Sequence, residues 1–212
     1  MDAKTIRYDP RPFAVTVAGV IGLEFLAMAF PFTEALWLTG TTRILQSLFI
    51  LGAVRRYPIS ARIAGLSRSG MKKGIKRGFL WSCALGSLAA IAGIVIALAG
   101  LDPFRIIGVR LPSDKALLIG FFLIAALIGP VAEELLFRGV VYGFLRRFGA
   151  AAAILGSSAF FVLAHSYDGI ALTHVIGGLV FAATYEYEKN IMVPITLHVL
   201  GNLALFSTAF FQ

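Results

Sequence analysis

Residues 78–99, GFLWSCALGSLAAIAGIVIALA, run for 22 positions without a charge. A helix needs ~20 such residues to cross the ~30 Å of hydrocarbon in a bilayer. The stretch lacks strand-like alternation, so a helix rather than a barrel strand satisfies its backbone in lipid. Just before it, residues 55–77 hold eight basic side chains (Arg55, Arg56, Arg62, Arg68, Lys72, Lys73, Lys76 and Arg77) and no acid. Under the positive-inside rule this segment reads as a cytoplasmic loop.

The rest of the chain extends the same pattern. Of its 212 residues 58% are hydrophobic, and the mean hydropathy is +0.86, more apolar surface than one soluble core of this size can bury. The net charge of +8 is concentrated beside a span, so it reads as topology and no nucleic-acid partner is expected. Further spans are expected at residues 13–32, 116–138, 150–166, 169–187 and 191–211. The first contains Glu24, shows no small-residue cleavage site and reads as an uncleaved helix. Residues 35–54, interrupted by Gly40 and Arg43, read either as a span or as a shorter interfacial helix.

Gly149, after Arg146 and Arg147, and the pair Glu188 and Lys189 before Asn190 read as hairpin turns at the water interface. The expectation is an all-α polytopic transmembrane bundle of six to eight helices. It forms a single integral membrane domain over residues 1–212, with its chemistry in helices within residues 116–211. Cys83 reads as packing, and Trp81, Tyr185 and Tyr187 as interfacial anchors. The short chain points to a prokaryotic plasma membrane, and membrane lipids are its expected surroundings.

Ionisable side chains inside spans are costly, so each is a functional candidate. Glu133 and Glu134 stand in the run PVAEELLFRG, residues 130–139. Arg138 lies four residues after Glu134, on the same helical face. Glu133 points about 100° away and has no opposite charge three or four residues distant. All three histidines, His165, His174 and His198, fall in the last three expected spans. If Gly149 turns an antiparallel pair, Glu133 is sixteen residues before it and His165 sixteen after, which sets both at one level. His198 and Asn202 are four apart and share a face of the last helix. A carboxylate and an imidazole facing one cavity can hold and deprotonate a water, and an imidazole with an amide can hydrogen-bond the oxyanion formed at a peptide carbonyl. His174 fits no pattern of this kind. Glu24 and Arg43 either pair with each other or line a substrate path.

Three motifs in order resemble the CAAX protease and bacteriocin-processing (CPBP) family of intramembrane endopeptidases, which includes the type II CAAX prenyl endopeptidases. Glu133, Glu134 and Arg138, with Phe137 and Gly139, resemble Glu-Glu-x-x-x-Arg. Phe161 and His165 match Phe-x-x-x-His, and His198 and Asn202 match His-x-x-x-Asn/Asp. The resemblance implies that Glu133 activates water with His165, that His198 and Asn202 stabilise the oxyanion, and that Glu134 and Arg138 hold the site together. It implies a peptide or protein substrate, with a lipidated peptide as one option. No cofactor is expected; Zn2+ on Glu133, His165 and His198 is the alternative, with no His-Glu-x-x-His to settle it, and is disfavoured because an amide such as Asn202 is a poor zinc ligand and a good oxyanion donor. The rival functional reading is a non-catalytic immunity or scaffold protein, or a transporter relaying protons through Glu133 and the histidines. An amide one turn after His198 serves oxyanion binding better than proton relay, and inverted repeats are not evident.

Overall fold

The computed structural model describes residues 10–30, 34–56, 66–103, 109–165 and 172–211. Among them are seven principal helices and no strand, the all-α bundle of an integral membrane protein. They are α1 (Arg11–Met28), α2 (Ala35–Arg56), α3 (Arg68–Leu98), α4 (Lys115–Phe148), α5 (Ala150–Leu163), α6 (Leu172–Glu188) and α7 (Met192–Ser207), the last continued by a 3-10 turn over Thr208–Phe211. Helices α1, α3, α4 and α7 with its extension are long and apolar enough to cross a membrane, and α5 is a shorter apolar helix.

Helix α4 occupies the centre and touches α1, α2, α5, α6 and α7. It is not a regular α-helix. Wide π-helical turns at Phe122–Ile128 and Leu135–Tyr142 flank the α-helical segment Gly129–Glu134. Pro130 has no N–H to donate one turn back and its ring crowds the carbonyl there, so the turn before it widens.

Two sequence expectations are corrected. The basic segment is not a loop where it is described: Arg55 and Arg56 close α2, and Arg68, Lys72, Lys73, Lys76 and Arg77 lie within the first ten residues of α3. Ser67 starts that helix by accepting a hydrogen bond from the Gly70 N–H at 3.2 Å, and lysine and arginine are good helix formers. Arg62 lies outside the described residues. Tyr185 is not an interfacial anchor; it is buried and meets Tyr142 edge to face at 5.2 Å. Tyr187 is exposed and stands edge-on to Trp81, whose indole N–H donates to Glu188 at 2.9 Å. Residues 35–54 belong to the single 22-residue helix α2.

Close packing of α3 on α7 relies on two glycines. A Cβ at Gly74 would lie 2.6 Å from the Met192 Cβ, and one at Gly78 would lie 2.6 Å from the Thr196 Cβ and 2.8 Å from the Val193 carbonyl oxygen. The pairing of 74 with 192 and 78 with 196 makes the two helices parallel, and the absence of side chains lets them approach as lipid-embedded helices do. Asn190 locks their starts together: its amide donates to the Gly70 carbonyl at 2.9 Å and its oxygen accepts from the Met192 N–H at 3.0 Å.

Gly78→Ala therefore destabilises the bundle by about 1–3 kcal/mol, because the Val193 backbone has nowhere to retreat. Gly93→Ala, where an added Cβ meets nothing within 4 Å, is neutral or stabilising. Thermal unfolding of the two variants in detergent checks the contrast.

Candidate active site

The segment Gly129–Glu134 presents its two glutamates in different directions, as adjacent helical residues must. Glu134 points into protein and is fully buried, as is Arg138; one Glu134 oxygen accepts from Arg138 at 2.9 Å and from the His198 Nδ1 at 2.9 Å. Arg138 also donates to the Gly178 carbonyl at 3.0 Å, and its guanidinium lies over the rings of Phe161 and Phe181 at 4.9 and 5.4 Å. This cluster ties α4 to α6 and α7 and leaves a buried charge pair with both ends hydrogen-bonded.

Glu133 faces a cavity of about 520 Å3. Its Oε2 lies 3.6 Å from the His165 Nε2 and 3.8 Å from the His198 Nε2. The other nitrogen of each ring is already engaged. His165 Nδ1 is 2.8 Å from the Phe161 carbonyl oxygen, which can only accept, so this Nδ1 carries a hydrogen. His198 Nδ1 donates in the same way to Glu134, a carboxylate in its pairing with Arg138. In neutral rings both Nε2 atoms then carry lone pairs. A carboxylate oxygen and two imidazole nitrogens converge as three acceptors at separations too long for direct hydrogen bonds, a gap suited to a water that donates to two of them.

Asn202 lines the same cavity, its amide donating to the Ala125 carbonyl of the wide turn in α4 at 3.0 Å. An amide has two N–H groups, so one remains for a ligand. The structure thus brings Glu133, His165, His198 and Asn202 to one cavity, with Glu134, Arg138 and Phe161 behind them. The equal-level argument for Glu133 and His165 holds because Gly149 does turn the chain, with φ of 107°.

Three contributors were not assigned to the site from sequence. His174 lines the cavity and stacks on His165, ring centroids 4.8 Å apart. Phe181 stacks on His198 at 4.4 Å; a phenylalanine in an apolar helix carries no signal of such a role. Arg43 reaches the cavity from α2, held by Glu24 at 2.5 Å and the Gln46 side-chain oxygen at 2.7 Å. Glu24 and Arg43 thus pair with each other, the first of the two expectations for them, and Arg43 also lines the cavity.

Residues 115–204 match the family model described as "Type II CAAX prenyl endopeptidase Rce1-like". Over these residues the chain is similar to the CAAX protease family. It is 30% identical over 149 residues to the candidate membrane peptidase YdiL of Bacillus subtilis (strain 168), covering 64% of this chain and 58% of that protein. It is 33% identical over 89 residues to the membrane-embedded CAAX protease MroQ of Staphylococcus aureus (strain USA300), covering 39% of this chain and 36% of that one. The chain therefore spans less than two thirds of the length of either relative. No solved structure matches it. The match to the CAAX protease model covers α4 to α7, the helices that supply both glutamates, all three histidines and Asn202.

Arg138→Met leaves Glu134 buried without its cation and costs about 3–5 kcal/mol. Adding Glu134→Gln to that variant removes the stranded charge and recovers part of the loss. Unfolding midpoints of the single and double variants, in one detergent and at one pH, check this order.

Proposed function

We propose that this protein is an intramembrane endopeptidase that hydrolyses a peptide bond with a water activated by Glu133 and His165, without a metal ion. The observation that carries the reading is the meeting of the Glu133 Oε2 with two imidazole Nε2 atoms at 3.6 and 3.8 Å on the wall of a cavity. Residues 116–211 form the catalytic part, and α1 to α3 complete the wall and brace α7.

Water held between Glu133 and His165 loses a proton to Glu133 as its oxygen bonds to the substrate carbonyl carbon. The resulting oxyanion takes a hydrogen bond from the free N–H of Asn202 and from the His198 Nε2 in its protonated form, with Glu134 holding that ring in place. When the tetrahedral intermediate collapses, the C–N bond breaks and Glu133 returns its proton to the leaving amine. Glu134 and Arg138 position these groups without touching substrate.

The amide at Asn202, a poor zinc ligand and a good oxyanion donor, supports the water mechanism over zinc. The substrate is a peptide or protein segment, lipidated or not, and the setting is a prokaryotic plasma membrane. Of the alternatives, proton transport is less well supported, because it leaves Asn202 without a use.

Purified in detergent and assayed with a quenched fluorescent peptide library, Glu133→Gln and His165→Ala each lose at least about 100-fold in cleavage rate while keeping the wild-type unfolding midpoint. Wild-type activity survives a strong chelator. Undiminished cleavage by Glu133→Gln removes the assignment, and chelator-sensitive activity restored by zinc replaces the water mechanism with a metal one.

A further inference from the structure

Most basic residues among those described sit at one end of the bundle. Arg55 and Arg56 close α2, the basic start of α3 packs beside the start of α7, and Arg146, Arg147 and Lys189 sit at the turns that join α4 to α5 and α6 to α7. Ion pairs bind this end together, with Arg77 on Glu188 at 2.6 Å and Arg146 on Glu186 at 2.9 Å. After Arg77 the 21 residues to Leu98 carry no charge, about 31 Å of helix. The hydrocarbon boundary therefore falls near Arg77, and the excess of basic residues over Glu186 and Glu188 sets this end in the cytoplasm.

The cavity lies toward the other end. The antiparallel pair α5 and α6 has 14 and 17 residues, about 21 and 26 Å, too short to cover the whole of α4 with its 34. His165 directly follows α5 and His174 is near the start of α6, so both lie at the pair's far end from the basic turns. Ala35 and Leu36 in the first turn of α2, Thr173 in that of α6, and Phe206 near the end of α7 line the same cavity. All four positions are at helix ends remote from the cytoplasm.

We infer that the cavity opens to the non-cytoplasmic face and takes a peptide segment already on that side of the membrane, with apolar side chains beside the scissile bond to fill the space at Leu36 and Phe206. The word substrate rests on the hydrolase reading above; the direction of opening does not. An export step must then precede cleavage, and a peptide confined to the cytoplasm is out of reach of Glu133.

Cys83 is the sole cysteine, so Cys83→Ser gives a background in which Ala35→Cys, Thr173→Cys and Ser69→Cys are each introduced singly. Intact cells are treated with a charged, membrane-impermeant maleimide before and after permeabilisation. Ala35→Cys and Thr173→Cys are labelled in intact cells, and Ser69→Cys, at the exposed start of α3, at least tenfold more after permeabilisation. Labelling of Ser69→Cys in intact cells overturns the orientation. Failure of both cavity cysteines to label before permeabilisation overturns the opening. Neither result depends on peptide cleavage, so an inactive Glu133→Gln variant and a wrongly placed opening are told apart.

Discussion

Glu134 and Arg138 form an ion pair from which water is excluded, one helical turn apart on the central helix. Removing two charges from water costs more than their attraction alone returns, so such a pair persists where further hydrogen bonds support it. Here those bonds come from other helices: His198 on α7 donates to Glu134, and the Gly178 carbonyl on α6 accepts from Arg138. A Cβ at Gly178 would lie 3.3 Å from the Ser158 Cβ and 3.4 Å from the Phe161 ring, so a residue without a side chain permits that approach. Three helices are thereby fixed in rotation about their axes. In lipid, where apolar faces have no solvent to escape, polar contacts of this kind decide how helices face each other.

That rotation determines what Glu133 meets. With the His198 Nδ1 occupied by Glu134, only Nε2 is left to face the cavity, and the Phe161 carbonyl does the same for His165. The rings are also clamped by ring contacts, His198 stacked on Phe181, and His165 stacked on His174 and tilted against Phe161. Holding a histidine through its second nitrogen fixes both its orientation and its tautomer. Arg43, paired with Glu24, lines the same cavity and adds a donor group to it.

Much of this arrangement is readable from spacing. The level of Glu133 with His165 follows from counting sixteen residues either way from Gly149, and a fixed rise per residue turns that count into a distance. The count tolerates the wide turns of α4 because Leu135–Tyr142 is short and the α-helical Gly129–Glu134 carries both carboxylates. What spacing does not carry is rotation about each axis and tilt between axes. For that reason Phe181, the second partner of Glu134 and the contact of Asn202 with Ala125 emerge only in three dimensions. The basic start of α3 was misread for another reason: charge density reports which side of the membrane a segment occupies and is silent on whether it is helical. Tyr185 failed likewise, since an aromatic near a span end anchors at the interface or packs inward according to helix rotation.

On the proposed mechanism, two adjacent residues of identical chemistry divide two tasks that a single carboxylate cannot perform together. A catalytic base must reach water and change its protonation during each turnover, whereas a buried counter-ion must keep its charge to balance a guanidinium that never loses its own. The 100° step between neighbours on a helix separates these environments at the cost of one residue. Glu134 stays in the dry cluster with Arg138, and Glu133 enters the cavity. His198 touches both, through Nδ1 to Glu134 and through Nε2 toward Glu133, so the proton state of the cavity is referred through one ring to the charge that holds the helices together. The geometry of the cavity wall and the packing of the helices are therefore set by the same four side chains.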